Sequence, residues 1–166
     1  MTEGTSMRIL AIDPFSRGVG FVVLEGHDRL IDWGLKATIR PHNAKASAVI
    51  GRLLNRFKPD ILTLEDWEAS GSRRCQRVQQ LLDKIARDGS VRMCVRLVRP
   101  SQLRAIGPAA QTNTKYGRAS LLAERFPELK AFLPRLRKPW MSEDARMAIF
   151  DALAFACAAM QPPHQI

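Results

Sequence analysis

Nothing in this 166-residue chain points to a covalent scaffold, a membrane span or a repeat. Its cysteines, Cys75, Cys94 and Cys157, are odd in number, widely spaced and free of any Cys-x-x-Cys pair. That argues against a disulfide framework and a structural zinc site, and fits a reducing, cytoplasmic setting. All three read as small apolar side chains packed inside. No apolar run is long enough to cross a bilayer, and no secretory signal is expected at the start. Low-complexity tracts and composition breaks are also missing. Residues 1–7 and 161–166 read as tails, the first disordered, leaving 8–160 as one domain large enough to bury a core. Acid is the minority charge: 16 Asp and Glu stand against 26 Lys and Arg, a formal net charge of +10. Such an excess favours a polyanionic partner through long-range attraction and counterion release, without separating DNA, RNA and a membrane surface.

What is present is an ordinary globular pattern, 46% hydrophobic. Arg8 to Asp13, Phe21 to Leu24 and Leu30 to Leu35 are short apolar runs joined by tight turns, the signature of an antiparallel meander. Ala46, Val49, Ile50, Leu53, Leu54 and Phe57 follow helical spacing after Pro41, with Asn43 as the expected N-cap. Ile61 to Glu65 is a fourth strand. Cys75, Val78, Leu82 and Ile85 mark a second helix closed by Gly89, and Val91 to Val98 a fifth strand. Pro100 can open a short helix. The polar stretch Thr112 to Lys115 is placed to cap a helix running to Phe126. A basic connector punctuated by Pro127, Pro134 and Pro139 leads to a last helix, expected from about Ser142 to Met160. The order predicts an α/β fold, a mixed five-stranded sheet flanked by helices.

Three carboxylates stand where carboxylates are costly. Asp13 and Glu65 each end an apolar strand, and Asp151 is the sole charge between Met147 and Met160. Each has a plainer reading alone: a turn residue for Asp13, and a surface acidic cluster with Asp66 and Glu68 for Glu65. Asp144, seven residues before Asp151, could simply favour a helix dipole. Together, in a strongly basic chain, they suggest a hard-cation site beside a phosphate substrate. Two Mg²⁺ ions, with Mn²⁺ as a substitute, can activate water and stabilise the leaving oxygen in phosphodiester cleavage.

The order of these motifs resembles the RuvC family of Holliday-junction resolvases, within the ribonuclease H-like superfamily. The resemblance is carried by Ile9-Leu-Ala-Ile-Asp13-Pro-Phe-Ser-Arg-Gly18-Val-Gly20-Phe21, by Leu62-Thr-Leu-Glu65 and by Val98-Arg-Pro100-Ser-Gln-Leu-Arg104 with Gly107 and Lys115. Asp151-Ala-Leu-Ala-Phe-Ala156 completes it, so that it spans Arg8 to about Ala159. It implies a ribonuclease H-like fold, a homodimer, and metal-dependent cleavage of branched DNA, four-way junctions above all, by paired nicks. Asp13, Glu65, Asp144 and Asp151 would then bind metal, and Lys115 would steady the scissile phosphate. The chain departs from the family pattern at Phe15, where Gly is usual. It departs again at Met147 and Ala148, where an acid or His is usual; Asp144 is the nearest substitute and Glu143 the next.

Arg73, Arg77, Lys84 and Arg87 form a stripe opposite the apolar face of the second helix, with Arg74 at its edge. Beside a metal site this reads as a phosphate track, and otherwise as a solvated helix face. Arg104 is a further candidate DNA contact. Trp67 could stack on an unpaired base or pack inside. Lys130, Arg135, Arg137 and Lys138 of the connector could add phosphate contacts or solubility. Two alternatives remain: a nuclease of the same fold acting on structured RNA, and a catalytically degenerate protein that binds junctions without cutting.

Overall fold

A computed structural model describes residues 6–38 and 43–161. Residues 1–5 and 162–166 of the expected tails lie outside it, as does Pro41. One five-stranded sheet organises the chain in the order β3-β2-β1-β4-β5. Its strands are β1 (Arg8–Phe15), β2 (Gly18–Glu25), β3 (Arg29–Ala37), β4 (Ile61–Glu65) and β5 (Cys94–Val98). The first three form the expected meander, the β1–β2 turn being only Ser16 and Arg17. β4 then pairs parallel to β1, and β5 parallel to β4.

Strand alternation decides which side chain faces which layer. Leu10 and Ile12 of β1, with Leu62 and Leu64 of β4, pack under helices α1 (Asn43–Phe57) and α2 (Gln76–Ser90). Ile9 and Ala11, with Ile61, face the opposite layer. That layer contains α5 (Lys115–Arg125), the 3₁₀ helix Pro127–Phe132 and α6 (Met147–Met160). Two short helices, α3 (Pro100–Arg104) and α4 (Ala109–Thr112), link β5 to α5. α6 is apolar nearly all round because the sheet, α3 and α5 cover it.

Several boundaries differ from expectation. β5 begins at Cys94 rather than Val91, because the Arg92 and Met93 amides both donate to the Gly89 carbonyl and turn the chain. α6 begins at Met147 rather than Ser142; Asp144 draws the Arg146 amide onto its own carboxylate, and 144–146 form a turn that leads into the helix. Asn43 is the first residue of α1, and its side chain is engaged with Arg77 across the helix pair. Only Cys157 is buried; Cys75 and Cys94 are exposed. Among the described residues no helix is long and apolar enough to cross a membrane.

Candidate active site

Parity brings the first two carboxylates together. Asp13 continues the Ile9, Ala11 series and Glu65 the Ile61, Thr63 series, so both belong to the face that α6 covers. The parallel register pairs Ile9 with Ile61 and Ala11 with Thr63, which sets Asp13 and Glu65 at the same end of neighbouring strands. Asp13 is only 2% exposed.

The third carboxylate depends on a close approach. Gly20 pairs with Asp13 across the β1–β2 ladder. A Cβ at Gly20 would stand 2.6 Å from the Ala148 backbone and Cβ. Bare backbone at Gly20 and a methyl at Ala148 thus let the first turn of α6 lie against the sheet beside Asp13. This close packing accounts for the small residue at 148. One turn further on, Asp151 lines the same small cleft of about 120 Å³ as Asp13.

Two cations serve these acids. The Arg74 guanidinium bridges Asp13 and Glu65 and also donates to the Pro14 carbonyl at 2.9 Å. Burial alone would lower its pKa; Asp13 and Glu65 outweigh that and raise it. Lys115 Nζ lies 2.8 Å from Asp151 and 2.5 Å from Glu143. Burial again opposes its charge, and Asp151 and Glu143 overcome it, so its pKa is raised. Lys115 is the first residue of α5, capped by Thr114, whose hydroxyl accepts from the Gly117 amide. A lysine there opposes the helix dipole, a local cost that the two carboxylates offset.

Asp151 is 14% exposed at its side chain. Burial, then the charge of Asp13, push its carboxyl up to about 7 from the ordinary 3.8, against the pull of Lys115. Two carboxylates in one cleft, one held near neutrality, are a setting in which added positive charge is stabilised.

The other expected site residues divide. Asp144 lines the cleft, but Arg146 takes its carboxylate through both the side chain and the backbone amide, and holds it down at about 2. Glu143, the weaker candidate by sequence, is the one joined to Lys115. Arg73 and Arg104 line a groove of about 970 Å³ that runs past Glu65, Lys115 and Asp151. The outer part of the expected stripe is separate: Arg77 engages Asn43, while Lys84 and Arg87 pair with Asp88 and Asp83 on the exposed face of α2. Trp67 packs partly buried against the α1–α2 layer. Sequence reasoning put Arg74 at the edge of a track and missed its central place. Its only local signal is Gly71, whose φ of +92° turns the chain three residues earlier. Arg118, also in the groove, was missed altogether.

Among the described residues no three His, Cys, Asp or Glu side chains form a ready coordination shell. Arg74 stands between Asp13 and Glu65, and Lys115 between Asp151 and Glu143. The donors themselves are hard oxygens in a half-buried cleft, chemically suited to Mg²⁺ or Mn²⁺.

No family model and no curated protein matches the sequence. Solved structures do match. Thermus thermophilus RuvC aligns over 92% of both chains at 19% identity, with a TM-score of 0.64. T. thermophilus RuvC in complex with Holliday junction substrate gives 17% identity and a TM-score of 0.62 over 92% of this chain and 91% of that one. The yeast mitochondrial Holliday junction resolvase Ydc2 gives 13% and 0.57 over 93% of this chain and 78% of its own. The chain therefore has the ribonuclease H-like fold of RuvC, as its motifs led one to expect.

Proposed function

We propose that this protein is a metal-dependent endonuclease that cleaves branched DNA, preferring four-way junctions. One observation carries the reading. Asp13 and Glu65 share Arg74 at one end of a RuvC-like sheet, and Asp151 from α6 lines one cleft with Asp13, beside Lys115 and a basic groove. The similar structures include a RuvC bound to Holliday junction substrate.

Asp13, Glu65 and Asp151 would hold the divalent cation, with Glu143 as the fourth acid because it shares Lys115 with Asp151. Asp144 lines the same cleft and would reach a cation by exchanging Arg146 for it, as Asp13 and Glu65 would exchange Arg74. When bound, such a cation lowers the pKa of water and stabilises the leaving oxygen of a phosphodiester. Lys115 would contact the scissile phosphate once the carboxylates have another cation to neutralise them. Arg73 and Arg104 hold the flanking backbone in the groove. Paired nicks need two such sites, so a homodimer belongs to the proposal.

The test offers wild type and Asp13→Asn a synthetic four-way junction, the matching duplex and a folded RNA, in Mg²⁺ and in EDTA. Expected is junction cleavage by wild type in Mg²⁺ only, and none by Asp13→Asn. Preference for the RNA would transfer the same chemistry to another substrate. A second reading, a junction binder that does not cut, is favoured by the arginine between Asp13 and Glu65. Tight junction binding in EDTA with no nicking in Mg²⁺ or Mn²⁺ would establish it.

A further inference from the structure

Between the 3₁₀ helix and α6 the chain runs as an irregular strap, residues 133–146, whose end at Glu143, Asp144 and Ala145 lines the candidate cleft. Arg137 Nη1 donates to the Met141 carbonyl at 2.7 Å, closing the strap on itself. Arg17, from the β1–β2 turn, reaches the Glu143 carbonyl at 3.5 Å. Beneath the strap lies a cavity of about 600 Å³. Tyr116, Pro134, Leu136, Pro139, Met141 and Met147 give it an apolar lining, and Lys115, Glu143 and Asp144 are common to it and the candidate cleft.

Three features are unusual together. The strap leaves large apolar side chains in water: Leu136 is 68% exposed, Trp140 78% and Met141 50%. A cluster of that kind rimmed by polar groups marks a binding surface. The rim is basic, formed by Arg135, Arg137 and Lys138, and Lys138 Nζ stands 5.4 Å from the centre of the Trp140 ring. The cavity also opens directly beside Lys115. The partner this combination fits has a flat apolar face, carries negative charge close to that face, and sits one unit away from a phosphate in the cleft. A nucleotide has all three properties, and a base already strained at a branch point costs least to unstack.

We propose that the cavity under the 133–146 strap binds a nucleotide taken out of its stack at the junction crossover, next to the phosphate to be cut. The inference rests on the junction-nuclease reading and adds to it the element that distinguishes a branch from plain duplex. The base enters against Leu136, Met141 and Tyr116, Trp140 covers the neighbouring base at the rim, and Arg135 and Arg137 meet the backbone.

The test measures junction affinity in EDTA for wild type, Leu136→Ser/Met141→Ser and Trp140→Ala, with far-UV circular dichroism as the check on folding. All three altered side chains are half or more exposed, which limits what their replacement costs the fold. Expected is a loss of about tenfold in each variant, of the size that base contacts carry. The slope of log K against log salt should stay unchanged, and Trp140→Phe should restore most of the affinity. On a junction with one abasic position beside the cut, wild type and the double variant should bind alike, while abasic positions elsewhere leave the difference intact. Wild-type affinity in the double variant, or a loss that no abasic position removes, overturns the proposal. Failure of wild type to prefer junction over duplex would instead overturn the parent reading.

Discussion

Arg74 is the residue on which the charge balance of the site turns. Asp13 is almost wholly buried, and a buried carboxylate that loses its ion-pair partner costs about 3–5 kcal/mol. Arg74→Ala should therefore destabilise the protein in EDTA by about 3 kcal/mol, a melting drop of roughly 6–12 °C for a chain of this size. Millimolar Mn²⁺ should recover more of that loss in the variant than it adds to wild type, because the metal no longer competes with a guanidinium; equal metal shifts in calorimetry would contradict this. Asp151 sets the pH dependence. Its carboxyl is raised to about 7 when folded and is ordinary, near 3.8, when unfolded. The folded form thus binds the extra proton between those values, so the stability it contributes is complete below about 3.8 and is lost as pH rises through 7. Asp151→Asn should melt above wild type at pH 8 in EDTA and close to it at pH 5, with cleavage abolished at both. Metal binding to wild type should strengthen over the same rise, since ligation needs the ionised carboxylate. Asp13, Glu65 and Asp151 could be singled out as candidates because apolar neighbours made each charge conspicuous. Arg74 was not, because one arginine among many in a basic loop has no pattern, and its place depends on the turn at Gly71.

Among the elements, α6 and β2 decide whether the site exists. Gly20 admits α6 only because it has no side chain, and any Cβ there meets Ala148 at 2.6 Å. Gly20→Val should cost about 1–3 kcal/mol through overpacking. It should also reduce cleavage more than it reduces junction affinity, since it moves Asp151 away from Asp13 while leaving the groove in place. Affinity and rate falling together would contradict that placement. The strands, their order along the chain and the flanking helices followed from alternation and periodicity, which tertiary packing reinforces. Boundaries set by side-chain-to-backbone bonds did not follow: Asp144 and Arg146 shorten α6, and the turn on Gly89 shortens β5. Those bonds compete locally with regular structure and leave no hydrophobic period to read. The shortened α6 also moves Asp144 off the helix, so the seven-residue helical spacing from Asp151 never arises.

At the scale of the whole molecule, the net charge of +10 should make junction binding strongly salt-dependent. Not all of that charge contributes. Lys84 and Arg87 are paired on the far layer, whereas Arg73 and Arg104 line the groove. Replacing Arg73 or Arg104 by Ala should lower the slope of log K against log salt by about one each. Replacing Lys84 should leave it unchanged; a uniform effect of all three would mean that charge acts without a defined track. Sheet, cleft and groove all bear on the proposed cutting of branched DNA with metal held by acids from β1, β4 and α6. The most direct measurement incubates the full chain with a four-way junction labelled on each strand in turn, in Mg²⁺, and maps every cut. Symmetric nicks in two opposed strands, absent in EDTA and in Asp13→Asn, are the expected result. An uncut junction, or duplex cut as readily as the branch, would contradict it.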